Sequence, residues 1–296
     1  MGRLIETGAP VVGFCLHDDK CFLLCGNELI EANAKTGRIE KQKKVFEKDG
    51  KSRLIRTNGK ILAVSDFCTL SVFAADTLEK LFEKKLGEDL TDDICGLAAD
   101  EAFLYVCIRN GGLTRLALSD YTQSSVVLGA ASAWSLAVWE DKLYAGTVDG
   151  KLLRLGRQTL QTESVLPLSR QNVKSLYRSG GTLYAACQDK KLYVIDLPTF
   201  SLVRKTSRIH PMMFDIIGEK GGVLYTVSHP ACEISGWDGR GARVCSIPYR
   251  LRLSGSSLIF GDAIYISSRN INGVDRIELE HTISEQRRWG KEAVWK

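Results

Sequence analysis

A pattern of about forty residues recurs through this chain, and few architectures accommodate such a period. Three copies are plain: KLYAGTVDGKLLRL from Lys142, TLYAACQDKKLYVID from Thr182 and AIYISSRNINGVDRIEL from Ala263. Each holds an apolar strand ending in a small residue, then a polar turn, then an alternating strand. With one position as anchor, the copies align on Phe22, Leu62, Leu104, Tyr144, Tyr184, Tyr225 and Tyr265, separated by 40, 42, 40, 40, 41 and 40 residues. Three residues beyond each anchor stand Cys25, Ser65, Cys107, Thr147, Cys187, Ser228 and Ser268. A small side chain at one place in all seven copies implies a recurring tight packing site. It also makes Cys25, Cys107 and Cys187 stand-ins for serine rather than reactive groups.

The neighbouring strands repeat as well. Leu29-Ala32, Leu70-Phe73, Leu113-Leu116, Leu152-Leu155, Leu192-Ile195, Ile234-Trp237 and Val274-Ile277 follow the turns, and VVGFCL, DICGLAA and WSLAV precede the anchors. A fourth strand follows in most copies, as in LEKLFEKKL, LQTESVLPL, SLVRKTS and ISEQRRW. Four short strands at this spacing predict a propeller blade. No 3.6-residue apolar period is sustained over the length that a helical solenoid needs. The expected fold is all-β: a seven-bladed β-propeller of four-stranded antiparallel blades, one domain over residues 1–296. An open ring would leave unpaired edges, so either Ile283-Trp289 or, preferably, Arg3-Glu6 supplies the last strand.

Composition narrows the setting. The net charge of +5 is spread over 40 basic and 35 acidic residues, too weak an imbalance to imply nucleic acid. Nine cysteines without a CxxC pair speak against a zinc site or a disulfide framework. Glu6 and Pro10 interrupt the apolar core that a signal peptide requires, and Glu6 stands where a myristoylation site would want Ser or Thr. No run reaches the roughly 18 apolar residues of a membrane span. These features together predict a cytoplasmic protein with free thiols.

Two propeller families resemble the aligned repeats. VDGKLLRL and ISGWDGR are similar to WD-repeat blades, although Trp237-Asp238 is the one Trp-Asp dipeptide and no Gly-His pair occurs. The hydrogen-bonded tetrad of strong WD repeats is therefore expected to be absent. LIEANAKTGRIEK from Leu29 resembles the quinoprotein docking motif at Thr36 and Gly37, with Glu31, Asn33 and Lys41 departing from it. Loss of the motif tryptophans argues against pyrroloquinoline quinone, and no other cofactor is expected. The resemblance implies the propeller and nothing narrower.

In this architecture the loops joining second and third strands share a face with the starts of the innermost strands, around the mouth of the central channel. Those loops carry Asp66-Phe67, Arg109-Asn110, Val148-Asp149, Gln188-Asp189, His229-Pro230 and Arg269-Asn270; the innermost strands bring Trp134, Met212, Met213 and Phe214. Aromatic, Met and Arg side chains anchor protein interfaces. Partner binding is accordingly expected at Phe67, Arg109, Asn110, Trp134, Gln188, Met213, Phe214, His229, Arg269 and Asn270. Packing between blades is the competing reading for Trp134 and Phe214.

Chemistry is harder to find. The histidines (His17, His210, His229, His281) form no HxH or HExxH pair. Asp93 and Asp215 are too few for an oxygen cage of the kind that propeller lactonases use, and no GxSxG elbow occurs. Glycine pairs such as Gly180-Gly181 suit hairpin turns. The C-terminal RRWGKEAVWK could stack on bases or lie on a membrane, but packing of its tryptophans is the simpler reading. The acidic run EDLTDD (Glu88-Asp93) lies on the Arg109 face, and mixed charge suits a protein partner better than a polyanion. The sequence thus predicts a non-catalytic scaffold or recognition propeller, with a small-molecule lyase or hydrolase at the channel mouth as the alternative.

Overall fold

A computed structural model describes residues 2–47, 54–88, 91–110, 112–128, 132–210, 212–228, 230–249, 256–267 and 271–279. It contains seven four-stranded antiparallel sheets, each wound outward from an innermost strand. With strands lettered A to D from the channel outward, blade four is representative: Ala133–Trp139, Lys142–Thr147, Lys151–Gly156 and Thr162–Pro167. Blade seven takes strands A to C from Ser257–Phe260, Ala263–Ile266 and Gly273–Glu278, and its strand D is Gly2–Glu6. The N-terminal segment closes the ring, with Glu6 opposite Gly273 and Arg3 Nε donating to Asp275 Oδ1 at 2.6 Å. Ile283-Trp289, the other strand considered for closure, lies outside the described residues.

Cross-strand register corrects the alignment in two blades. The aromatic column lies two residues past the tip of each A–B hairpin, which gives Phe22, Tyr105, Tyr144, Tyr184, Tyr225 and Tyr265 opposite Cys15, Ala98, Ala137, Tyr177, Gly218 and Leu258. Blade three therefore contributes Tyr105, not Leu104, and blade two contributes Ala63. The slip matters because one residue exchanges the two faces of a strand. Ile108, opposite Ile94, then holds the place that Cys25, Thr147 and Cys187 hold opposite Val11, Ala133 and Val173. Where the small residue is present it ties down the start of its own blade. Cys25 Sγ donates to the Ala9 carbonyl at 2.7 Å and Ser228 Oγ to the Met213 carbonyl at 2.9 Å.

The core lies between blades rather than within them. Seven apolar clusters fill the seven interfaces, as expected when each sheet has two apolar faces and no blade can bury both alone. One device recurs at the outer part of these interfaces. The turn from strand C to strand D holds one residue in the left-handed conformation: Gly37, Leu78, Tyr121, Leu160, Phe200 and Gly241 in blades one to six, with φ of 74°, 57°, 58°, 58°, 50° and 81°. Leu78, Leu160 and Phe200 are buried and belong to the clusters they share with the preceding blade. Tyr121 stacks on Phe82 of blade two with ring centroids 4.6 Å apart. A non-glycine residue in this conformation costs about 1 kcal/mol, and burial of a Leu or Phe side chain returns about 1.5–3 kcal/mol. These side chains act as plugs.

Cations staple the rim across the same interfaces. Lys41 Nζ donates to the Asp76 carbonyl at 2.5 Å, Arg115 to the Arg157 and Gln158 carbonyls, and Arg204 Nη1 to the Gly239 carbonyl at 2.5 Å. Near the channel, small donors join successive innermost strands: Cys95 Sγ to the Ala133 carbonyl at 3.1 Å, and Ser135 Oγ to the Val173 carbonyl at 2.8 Å.

Blade six keeps part of the WD tetrad, three members of it, where the dipeptide pattern predicts none. Trp237 Nε1 donates to Thr226 Oγ1 at 2.8 Å, and His210 Nε2 lies 2.8 Å from the same oxygen. Glu233 Oε2 is 3.8 Å from His210 Nδ1, so a His–Thr–Trp network with an adjacent acid is present in one blade. Its histidine precedes a proline instead of following a glycine, which is why the dipeptide pattern hid it.

Candidate functional site

At the channel mouth, strands A of blades one, three, four and five share a β-bulge just after their first pair. The extra residue is Val12, Cys95, Trp134 and Lys174 in turn. A bulge re-aims the side chain it carries; Val12 and Cys95 pack against interface clusters, whereas Trp134 and Lys174 meet charged side chains of neighbouring blades. Trp134 is half-buried. The Arg109 guanidinium from the B–C loop of blade three lies over its ring, 5.2 Å from the centroid. Arg109 is fixed from its other side by Asp93, with Nε 2.7 Å from Oδ1 and Nη2 3.3 Å from Oδ2. A cation held over an indole face and paired to a carboxylate is a rigid, pre-oriented contact group.

Asn110 extends this sector. Its left-handed backbone (φ 61°) turns the loop, its N–H donates to Ser132 Oγ at 3.0 Å, and its Nδ2 donates to the Thr91 carbonyl at 3.4 Å. Phe67 is half-buried and also left-handed (φ 50°), and its carbonyl accepts from Ile94 N–H at 2.8 Å. The B–C loop of one blade thus grips the start of the next innermost strand. Gln188 N–H does the equivalent within blade five, donating to the Asn172 carbonyl at 2.9 Å.

Farther round, Met212 and Met213 are exposed at 44% and 40%. Lys174, one repeat after Trp134, reaches Asp215 of blade six at 3.0 Å. The sequence reading did not select Lys174, although the forty-residue register carries Trp134 onto it. The acids Asp93 and Asp215 are each paired with a cation, and among the described residues no cluster of three His, Cys, Asp or Glu side chains could hold a metal ion.

Phe214 does not stand on this face. It is 1% exposed and packs among Ala186, Leu192, Ile216 and Leu224, with its ring 5.0 Å from that of His210. It occupies the repeat position of Val173 and Ala133, although the bulge of its own strand comes later, between Ile216 and Gly218, and its ring faces the interface of blades five and six. His229, Arg269 and Asn270 lie outside the described residues, as does the basic tail. The structure therefore joins Phe67, Arg109, Asn110 and Trp134 into one sector spanning blades two to four. Gln188 and Met213 lie in the sector of blades five and six.

Of the two histidines that precede a proline, His210 is inside, and His229 lies outside the described residues. His210 has a fully buried side chain held by Thr226 and enclosed by Phe214 and Trp237. Burial pushes its pKa down to about 4, against the opposing pull of Glu233. Glu233 Oε2 stands 3.8 Å from Nδ1, and the imidazole is shut off from solvent. All nine cysteines are free, and burial raises the Cys15 and Cys95 thiols to about 12, away from thiolate chemistry.

No family model matches the chain, and no curated protein matches it. Solved structures do. One titled "Structure of U3-55K" superposes with a TM-score of 0.75 at 15% identity, covering 94% of this chain and 98% of that one. A chain of the Mitotic Checkpoint Complex gives 0.77 at 12% identity over 93% and 90%. The computationally designed Ika8 protein gives 0.70 at 13% identity over 94% and 87%. At these identities the likeness is one of fold, the seven-bladed β-propeller. No helix among the described residues is long and apolar enough to cross a membrane.

Proposed function

We propose that this chain is a binding protein whose ligand is another protein, docked on the channel-mouth sector of blades two to four. The observation that carries the reading is the Asp93–Arg109–Trp134 stack, in which a half-buried indole is roofed by an ion-paired guanidinium at 5.2 Å. Trp and Arg are the residue types that dominate binding energy when a partner excludes water around them. The rigid B–C loop on one side lowers the ordering cost of association. Paired charges of both signs at the mouth favour a partner of complementary charge over a polyanion. Two structurally similar chains belong to structures titled for a checkpoint complex and for U3-55K, which supports a role within assemblies. The free thiols fit a reducing compartment.

The test is recovery of partners from a lysate by the wild type and by Trp134→Ala and Arg109→Glu variants, with folding verified by thermal unfolding. A partner retained by the wild type is expected to lose at least tenfold in affinity with either variant, about 1.4 kcal/mol or more. Undiminished recovery by both folded variants would remove this face from the account.

A further inference from the structure

Plugs fill the outer interfaces at blades two, three, four and five, but the equivalent residue of blade six is Gly241. The turn there is one residue shorter, and Gly241 keeps the left-handed backbone (φ 81°) without a side chain. A Cβ built on it would meet just one neighbour within 4 Å, Thr206 Cγ2 at 3.3 Å. The interface between blades five and six is correspondingly open. Among the described residues its buried apolar cluster has five members, Ala186, Leu192, Phe214, Ile216 and Leu224, whereas Phe200 and ten others fill the one before it. The space left is a cleft of about 110 Å³ whose walls include Tyr184, Leu192, Val203, Leu224 and Trp237. Val203 is 63% exposed on a bulge of the outermost strand of blade five.

Four polar residues, Arg204, Thr206, Glu219 and Asp238, also line the cleft; Thr206 Oγ1 and Asp238 Oδ1 already accept from backbone N–H groups, of Leu192 and of Arg240 and Ala242. Among the described residues Glu219 Oε2 is buried and has no hydrogen-bond partner, a state that costs stability until a donor arrives. Arg204 lines the cleft with its guanidinium fixed on the Gly239 carbonyl. We propose that this cleft receives a tyrosine side chain from a partner protein. The ring takes the place that Tyr121 and Phe200 take at other interfaces, its hydroxyl donates to Glu219 Oε2, and its face meets Arg204. The pairing of an arginine with an inserted ring already exists one interface earlier, where Arg154 lies 4.9 Å from the Phe200 centroid. The bulge at Val203 interrupts the strand edge, which favours insertion of one side chain over addition of a whole strand. The site is separate from the channel mouth.

The probes are acetylated hexapeptides of fixed backbone whose central residue is Tyr, Phe, Lys or Glu, titrated against the full chain by fluorescence polarisation. The Tyr peptide is expected to bind at least tenfold tighter than the Phe peptide. Glu219→Leu should erase that difference while raising Tm by a few degrees, because it removes an unsatisfied acceptor. Gly241→Leu should abolish binding by supplying the missing plug, and Arg109→Glu should leave it unchanged. A Lys peptide that outcompetes Tyr, a Glu219→Leu variant that loses stability without changing the Tyr–Phe ratio, or no binding by any peptide at millimolar concentration would overturn the proposal. So would self-association of the chain that Gly241→Leu dissolves, since a second copy would then own the cleft.

Discussion

Two adjacent interfaces of this ring are built differently. Between blades four and five, Phe200 turns inward from its C–D loop, packs near Tyr144 with ring centroids 6.0 Å apart, and carries Arg154 on its face. Between blades five and six the same loop position is Gly241. There the inner contact is the polar network of His210, Thr226 and Trp237 beside Phe214. The first interface is filled by apolar side chains at its outer edge; the second is lined nearer its centre by a hydrogen-bond network held within blade six. Gly37 shows that a glycine here need not mean a vacancy. A Cβ on it would sit 1.9 Å from the Leu4 carbonyl of the closing strand. One glycine is required by crowding, and the other leaves a cleft.

The contrast can be broken most forcefully at Phe200. Phe200→Ala is expected to cost about 2–4 kcal/mol, read by urea denaturation, because it empties a filled interface. Val203→Ala, on the open side, should stay within about 0.5 kcal/mol. Thr226→Val tests the other half, since it removes the acceptor of the Trp237 N–H and the partner of His210. A loss of about 1–3 kcal/mol is expected, and a neutral result would show that the network contributes nothing to this interface.

A smaller effect should appear with pH. The folded pKa of His210 is depressed to about 4 from 6.5, so between those values the unfolded chain binds the extra proton. Stability from this group is then complete above about pH 6.5, falls as pH drops towards 4, and is flat below that. Thermal unfolding from pH 7 to 4 should show a drop in Tm that His210→Gln reduces. Glu233, whose own pKa is lowered, adds to the acid loss near and below its ordinary range, so the histidine part is the portion above pH 5.

The ring and its closure were legible in the sequence because a forty-residue period and alternating strands encode which faces are buried. The register of blades two and three was not, since Leu104 and Tyr105 are both apolar and only the hairpin tip decides between them. Arg109 and Asn110 were placed at the channel mouth from loop position, and Trp134 from the start of an innermost strand. Their pairing with Asp93 depends on a contact across the start of strand A that spacing does not show. Phe214 was misplaced because a one-residue step exchanges the two faces of a strand, and its place turns it into the interface of blades five and six. His210 escaped as a tetrad member for want of the expected glycine. The plugs had a signal that went unread: Leu78, Tyr121, Leu160, Phe200 and Gly241 recur at nearly the same spacing as the anchors.

The central claim, that one plug position is vacant while its counterparts are filled or crowded, is tested most directly by comparing the unfolding free energies of Gly241→Leu and Gly37→Leu. At Gly241 the left-handed backbone costs about 1 kcal/mol and burial of leucine returns about as much or more, so the variant should stay within about 1 kcal/mol of the wild type. Gly37→Leu should lose several kcal/mol or fail to fold, because its Cβ meets the closing strand. Equal, large losses in both variants would mean that the space beside Gly241 is not a vacant plug site, and the contrast between the two interfaces would fall.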